Sequence, residues 1–508
     1  MDRRWFRTTG ANLCAKIRIL LVLCTTLVFT SAHAVEVSGS NAVTQENSLE
    51  ITLGDAIIMA LQNNRALSVE SLNPAIRETY EQQESAVFDP SFSAELSASR
   101  ERKSETAGIS EGDTGAGMSI GKFLPTGTAL SAEFTAERDW SDLYSDRYKS
   151  RLGFTVTRAL LQGAGLDFNL ANIRQAKLDT ISSQHQLRGF TENLVAEVET
   201  TYWNYALAVK QLEIYRQSME LAQKQLKEIE ERISVGTLAE IELAAAQAEA
   251  ALRREALINA HSNMETKRLQ LLRLLNPSEG KSWTQKIILK NLPAVPDVKL
   301  DNVENHSALA LEMRPDIRQA RLSIERGEIE IVKTKNGLLP RMDLFISLGK
   351  TGYASSFGSS AGDIFGKNYD ISAGLAFEWP LGNRDAEARH KRALLSQQQA
   401  EEALENLSQL ADMDVRFAYI QVNRASQQIE ATAATLHLQE EKMRSETEKF
   451  RVGRSTSLLV AQTQRDLLAA RISEVEAVVN YLNSLVDLFR LESSLLERRG
   501  ISTGSGKL

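Results

Sequence analysis

Between Asp385 and Arg499 the chain carries no proline and one glycine, Gly453. Helix formers dominate throughout, so the stretch reads as two helices folded back on each other at Val452-Gly453-Arg454-Ser455-Thr456-Ser457. At 1.5 Å per residue, the arm from Asp385 to Val452 would be about 100 Å long, against roughly 18 Å for an ordinary globular helix. Such a helix needs a partner along its whole length.

The partner is legible because the same design occurs earlier. Phe168 to Ile233 is a proline-free arm with a single glycine, Gly189; it ends in Ser234-Val235-Gly236-Thr237-Leu238-Ala239-Glu240 before a returning helix to Leu275. Setting Val235-Gly236 on Val452-Gly453 places Glu231-Arg232-Ile233 on Glu448-Lys449-Phe450. Upstream, Pro90 falls on Pro340 and Ala60-Leu61-Gln62-Asn63-Asn64 on Ala310-Leu311-Glu312-Met313-Arg314. The chain is an internal duplication, and its 508 residues describe one elongated body of two similar halves. The first repeat covers 35–275 and the second 303–499, with a proline-bearing connector at 276–302 and a small, polar tail at 500–508 expected to be disordered.

The first 34 residues have a basic start, an apolar run from Ile19 to Phe29 and small residues at Ala32-His33-Ala34, the pattern of a secretory signal peptide. The run is too short for the roughly 20 residues of a spanning helix. Both cysteines, Cys14 and Cys24, lie inside this segment, which leaves no disulfide framework or cysteine metal site beyond it. Leu21-Val22-Leu23-Cys24 matches a lipoprotein box poorly, because Leu23 is bulky where a small residue is required. The net charge of −7 argues against nucleic acid, which basic faces attract. No apolar run long enough for a transmembrane helix follows, so entry into a membrane requires a closed β-barrel.

Along the chain, a helix is expected from Thr52-Leu53 to Val87, with Pro74 placed to kink it. After Asp89-Pro90 the hydrophobic period changes from 3.6 to 2. Phe92, Ala94, Leu96 and Ala98 alternate with polar residues, as do Leu130, Ala132, Phe134 and Ala136, and Leu152, Phe154 and Val156. Such alternation suits a wall with lipid on one side and water on the other, and a water-soluble sandwich equally. Glu101–Thr114 and Asp139–Asp146 read as polar loops, and Pro125-Thr126-Gly127-Thr128 as a tight turn. In the second half, Leu344, Ile346 and Leu348 form one strand. Tyr369, Ile371, Ala373, Leu375, Phe377 and Trp379 form another, the candidate lipid-facing strand, with Gly349–Lys367 as a loop between. In the arms, Leu212, Tyr215, Met219, Ala222, Leu226, Ile229 and Ile233, and likewise Val475, Val478, Leu482, Leu485 and Phe489, follow heptad spacing, so the arms should pack as antiparallel coiled-coil hairpins.

This order of elements, given twice behind a signal peptide, resembles the TolC-like outer membrane efflux protein family. Its carriers are Leu53–Leu67 with the Asn63-Asn64 pair, Asp89-Pro90 and Leu339-Pro340, Trp379-Pro380-Leu381, and the turns at Val235-Gly236 and Val452-Gly453. The resemblance implies a mostly α fold with a membrane β-barrel: a homotrimeric tube in the outer membrane, reaching across the periplasm as a passive efflux or type I secretion conduit. Its implied partners are outer membrane lipid, a periplasmic adaptor (membrane fusion) protein and an inner membrane transporter of the RND or ABC type. The adaptor would dock on Val235, Gly236, Thr237, Val452, Gly453 and Arg454. Acidic residues that narrow the family's periplasmic mouth are replaced here by Leu459 and Gln462, so a constriction would rest on Glu242 or on apolar closure by Leu458 and Leu459. The family usually supplies two strands per half, twelve per trimer, whereas Pro90–Leu160 is long enough for four; the extra hairpin either extends the barrel or hangs beside it.

Catalytic patterns are lacking. The histidines are scattered, there is no His-Glu-x-x-His or nucleophile elbow, and Gly163-Ala164-Gly165 lacks the third glycine of a dinucleotide loop, so no cofactor, metal site or catalytic residue is assigned. The competing reading is a secreted periplasmic coiled-coil scaffold or adhesin-like protein. The alternating strands distinguish the two, since a scaffold has no need of an apolar outer face.

Overall fold

The structure, a computed structural model, describes residues 48–102, 110–277, 282–296 and 299–501. The expected leader, and residues 502–508 of the expected tail, lie outside these. Strand β1 (Ser48–Ile51) leads into α1 (Leu53–Asn63), α2 (Arg65–Glu70) and α3 (Asn73–Ser85), followed by strands β2 (Ser91–Arg102), β3 (Ser110–Leu124), β4 (Thr128–Ser141) and β5 (Tyr144–Ala159). A single turn, α4 (Leu166–Asn169), precedes the first hairpin, α5 (Ala171–Ser234) and α6 (Ile241–Leu275). After β6 (Lys286–Leu289) come α7 (Val303–Met313), α8 (Pro315–Gly337), β7 (Arg341–Ala354), α9 (Phe357–Asp363) and β8 (Tyr369–Glu378). The second hairpin, α10 (Arg384–Arg451) and α11 (Ser457–Leu491), and the short α12 (Leu495–Arg498) are the last elements among the described residues.

The duplication is visible element by element. Helices α1 and α7 both contain 11 residues, and the bounds of α7 fall where the offset read from Ala60 and Ala310 puts them. The repeats diverge at Pro74. The helix expected to kink there instead stops, and Pro74 sits in the first turn of α3, where its missing N–H costs nothing. Asn64 caps α2 by accepting from Ala66 and Leu67. The second repeat has Ile324 where the first has Pro74, and α8 runs unbroken for 23 residues.

Helices α5 and α10 are 64 and 68 residues long, and their returning partners α6 and α11 are 35 each. The expected heptad positions turn inward, with Leu212, Ala222, Ile229, Leu482, Leu485 and Phe489 all buried. Helix α8 packs against both α5 and α10, filling the length that the shorter returning helices leave open.

The core lies midway along the hairpins, where α1 and the small sheet close over them. Tyr202, Val198, Leu271, Leu272, Val415, Val422, Val479 and Leu488 are almost wholly buried there. Each such side chain contributes on the order of 2 kcal/mol by leaving water. The connector expected at 276–302 is not mere linker: β6 pairs in parallel with β1, from Ser48 beside Lys286 to Ile51 beside Leu289. Tyr205 donates to the Ile287 carbonyl at 3.0 Å, which ties this sheet to α5. Thr52 and Asp55 form a capping box at the start of α1, and their mutual hydrogen bonds hold the Asp55 carboxyl below its usual range.

The six remaining strands form one sheet in the order β2-β3-β4-β5-β7-β8. This corrects the expected loops. Of Glu101–Thr114, the described residues 101–102 and 110–114 are strand and 103–109 lie outside the described residues. Asp139–Asp146 is largely strand, and β7 continues to Ala354 inside the segment read as the Gly349–Lys367 loop, which also holds α9. Trp379, assigned to the lipid-facing strand, lies one residue past the end of β8. Gly500 and Ile501, assigned to a disordered tail, are held by hydrogen bonds to Glu497 and Leu496.

Candidate functional site: a two-faced wall and two helix tips

Side chains alternate across a pleated sheet, so cross-strand partners share a face. The register runs Phe92–Ile120–Ala132–Phe154–Leu348–Ile371 across all six strands, an unbroken apolar row. One residue along lies Ser93–Ser119–Glu133–Gly153–Gly349–Asp370, a polar row on the opposite face. The apolar face continues through Met118, Phe134 and Leu152, and through Val156 and Ile346. Most of it is uncovered, with Phe92 66% exposed, Ile120 56%, Ile371 65% and Phe377 64%, while α9 packs over its loop end through Ser150 with Ser360 and Tyr148 with Phe357. The polar face is knitted by Arg151 to Asp370 at 2.6 Å and by Lys149 to Glu137 at 3.2 Å.

Strand β3 was foreseen only as one arm of an extra hairpin around Pro125-Thr126-Gly127, with no alternation read along it. Its apolar positions 112, 114, 116, 118 and 120 are held by Gly, Thr, Ala, Met and Ile, so only two of them signal a hydrophobic face. The signal lay in the partner strand, where Phe134 and Ala132 face Met118 and Ile120.

At the far end of the hairpins, the two tips are built alike. Gly236 and Gly453 both have φ of 72°. The Gly236 amide donates to the Ile233 carbonyl and that of Thr237 to Arg232, both at 2.9 Å. In the second repeat the Gly453 amide donates to Phe450 at 3.1 Å and that of Arg454 to Lys449 at 2.8 Å. Each is a Schellman closure, which requires a left-handed residue after the helix. A side-chain carbon built at either glycine would meet nothing within 4 Å, and Val235 and Val452 are 71% and 67% exposed.

The tips touch each other. Arg232 lies over the Phe450 ring, 5.7 Å from its centroid. Glu446, which carried no expectation, accepts from Ser455 at 2.6 Å and Lys449 at 3.1 Å, and these bonds hold its carboxyl below the usual range. Among the candidate constriction residues, Glu242 accepts from the Ser457 hydroxyl, which joins the start of α6 to that of α11. Leu458 and Leu459 follow directly and are exposed, as is Gln462 a turn later. The structure therefore gathers the four around one helix junction. Among the described residues no helix is long and apolar enough to cross a membrane.

A model of the outer membrane efflux protein family matches residues 56–277 and 307–492. The chain is similar to outer membrane protein TolC of Escherichia coli (strain K12), 24% identical over 356 residues, covering 67% of this chain and 70% of that one. It is 22% identical over 450 residues to the outer membrane efflux protein BepC of Brucella suis biovar 1 (strain 1330), covering 88% of this chain and 86% of that one. The fold superposes on the Campylobacter jejuni CmeC outer membrane channel with a TM-score of 0.66 at 16% identity, covering 87% and 86% of the two chains.

Proposed function

The chain belongs to the outer membrane efflux protein family, and on that premise we propose that it works as a passive conduit in which three copies form one continuous tube. The sheets form the outer membrane wall and the helical hairpins the periplasmic shaft. The observation that carries this reading is the division of all six strands into one apolar and one polar face, as a wall between lipid and water demands. A coiled-coil scaffold has no use for that division, which sets the adhesin-like alternative aside.

Energy for transport comes from an inner membrane transporter of the RND or ABC type, reached through a periplasmic adaptor. The adaptor docks on Val235, Gly236, Thr237, Val452, Gly453 and Arg454, where two bare glycines allow close backbone approach. At the same end, the junction of Glu242, Leu458, Leu459 and Gln462 narrows the mouth, and its opening requires the Glu242–Ser457 bond to break. Fractionation tests the reading: the protein is expected in detergent-extracted outer membrane at the mass of three chains. Recovery as a soluble periplasmic monomer overturns it.

A further inference from the structure

We propose that the β3–β4 hairpin is built into the membrane wall, so that each copy contributes six strands and the closed barrel has eighteen, not the twelve that two strands per half would give. The inference rests on the three-copy reading above and adds the identity of the contact between copies: β8 of one copy pairs with β2 of the next.

Three observations support it. First, the pairing leaves no room for a hairpin hung to one side. Strand β2 pairs with β3 from Ser91–Gly121 to Arg102–Ser110, and β4 with β5 from Thr128–Arg158 past Asp139–Arg147, so β2 does not reach β5. Second, the added strands carry the same two faces as the rest. Met118 and Phe134 lie on the apolar side, and Ser119 and Glu133 on the polar side. A hairpin in water gains nothing from an apolar face left uncovered, and Met118 is 54% exposed. Third, β2 and β8 are the two open edges of the sheet, and every residue of β2 is exposed. Open edges are not tolerated in lipid, where each unpaired backbone group costs several kcal/mol.

The second copy fits those edges. Strand β2 begins at the helix-proximal end of the sheet and β8 finishes there, so neighbouring copies bring them together antiparallel. The strands match in length, 12 residues against 10, and the apolar row ends in Phe92 on one edge and Ile371 on the other. Closure around three copies thus continues the apolar belt without a break. Because barrel diameter grows roughly in proportion to strand number, the bore would be about one and a half times as wide as a twelve-stranded one.

The experiment uses the full chain with Cys14 and Cys24, its only cysteines, changed to serine. Glu133→Cys and Phe134→Cys place neighbouring thiols on opposite faces of β4. In outer membrane vesicles, a charged, water-soluble thiol reagent should label Glu133→Cys at least tenfold faster than Phe134→Cys. Equal rates mean that the hairpin hangs in water and overturn the proposal. If either variant fails to assemble, Ser119→Cys and Met118→Cys on β3 ask the same question. Electron cryomicroscopy of the wild-type trimer counts the strands: eighteen is expected and twelve refutes it. A wild-type protein absent from the membrane instead sinks the conduit reading, which keeps the two failures apart.

Discussion

Glu192 sits inside α5 with 2% of its surface exposed, and one carboxylate oxygen accepts from the Leu495 amide at 3.0 Å. Burial pushes its carboxyl up from 4.5 to about 7, partly offset by that amide and by Arg188. An acid with a raised value in the folded state binds its proton there before it does when unfolded. Its contribution to stability is therefore full below pH 4.5 and is lost as pH rises through about 7. The loss is on the order of 3 kcal/mol. Glu192→Gln keeps an oxygen for the Leu495 amide and removes the proton, so the variant should lose less stability than wild type between pH 5 and pH 8 in denaturant unfolding. An identical loss in both would show that Glu192 does not titrate as described. Nothing in the sequence marks this residue, because a glutamate in a long amphipathic helix looks the same whether its face meets water or a distant helix. The glycines at the tips were legible at the same scale, since only a helix end needs a left-handed residue between two proline-free arms.

The hairpin is the element that carries the proposed docking tips. The backbone at Gly236 and Gly453 costs a side-chain-bearing residue about 1–2 kcal/mol each, a small loss for hairpins whose long arms run 64 and 68 residues. With open space around both positions, Gly236→Trp combined with Gly453→Trp should leave the trimer intact in detergent while export falls at least tenfold. Export at the wild-type level would remove the docking proposal. The arms and turns could be read from the sequence because proline and glycine punctuate helices without regard to partners. The strands were harder. Glu101–Arg102 and Ser110–Thr114 look like loop because they are charged or glycine-rich, yet the polar face of a wall accepts charges, and glycine at Gly112 is matched across the pair by Trp140. The parallel pairing of β1 with β6 joins segments at opposite ends of a repeat, a partnership that no local pattern records.

At the scale of the whole molecule, the duplication determines the plan. Two sheet-and-hairpin units share one core, and the order of elements was visible in the sequence because both copies keep their proline and glycine landmarks. What the sequence left open was the strand count, which depends on β3 pairing with strands on both sides. The polar face also sets the electrostatics of the proposed bore. Lys149 and Arg151 are taken up by Glu137 and Asp370, and Glu133 reaches Arg151 only through a longer-range attraction. Among the described residues, Glu95 and Glu133 on that face are thus left outside its direct ion pairs. Three copies bring these carboxylates together around the water, and rings of acidic side chains favour cations. The most direct test is a planar bilayer with purified trimer under a potassium chloride gradient. Discrete conducting steps with a reversal potential on the cation-selective side are expected; a compact monomer that passes no current would contradict the account.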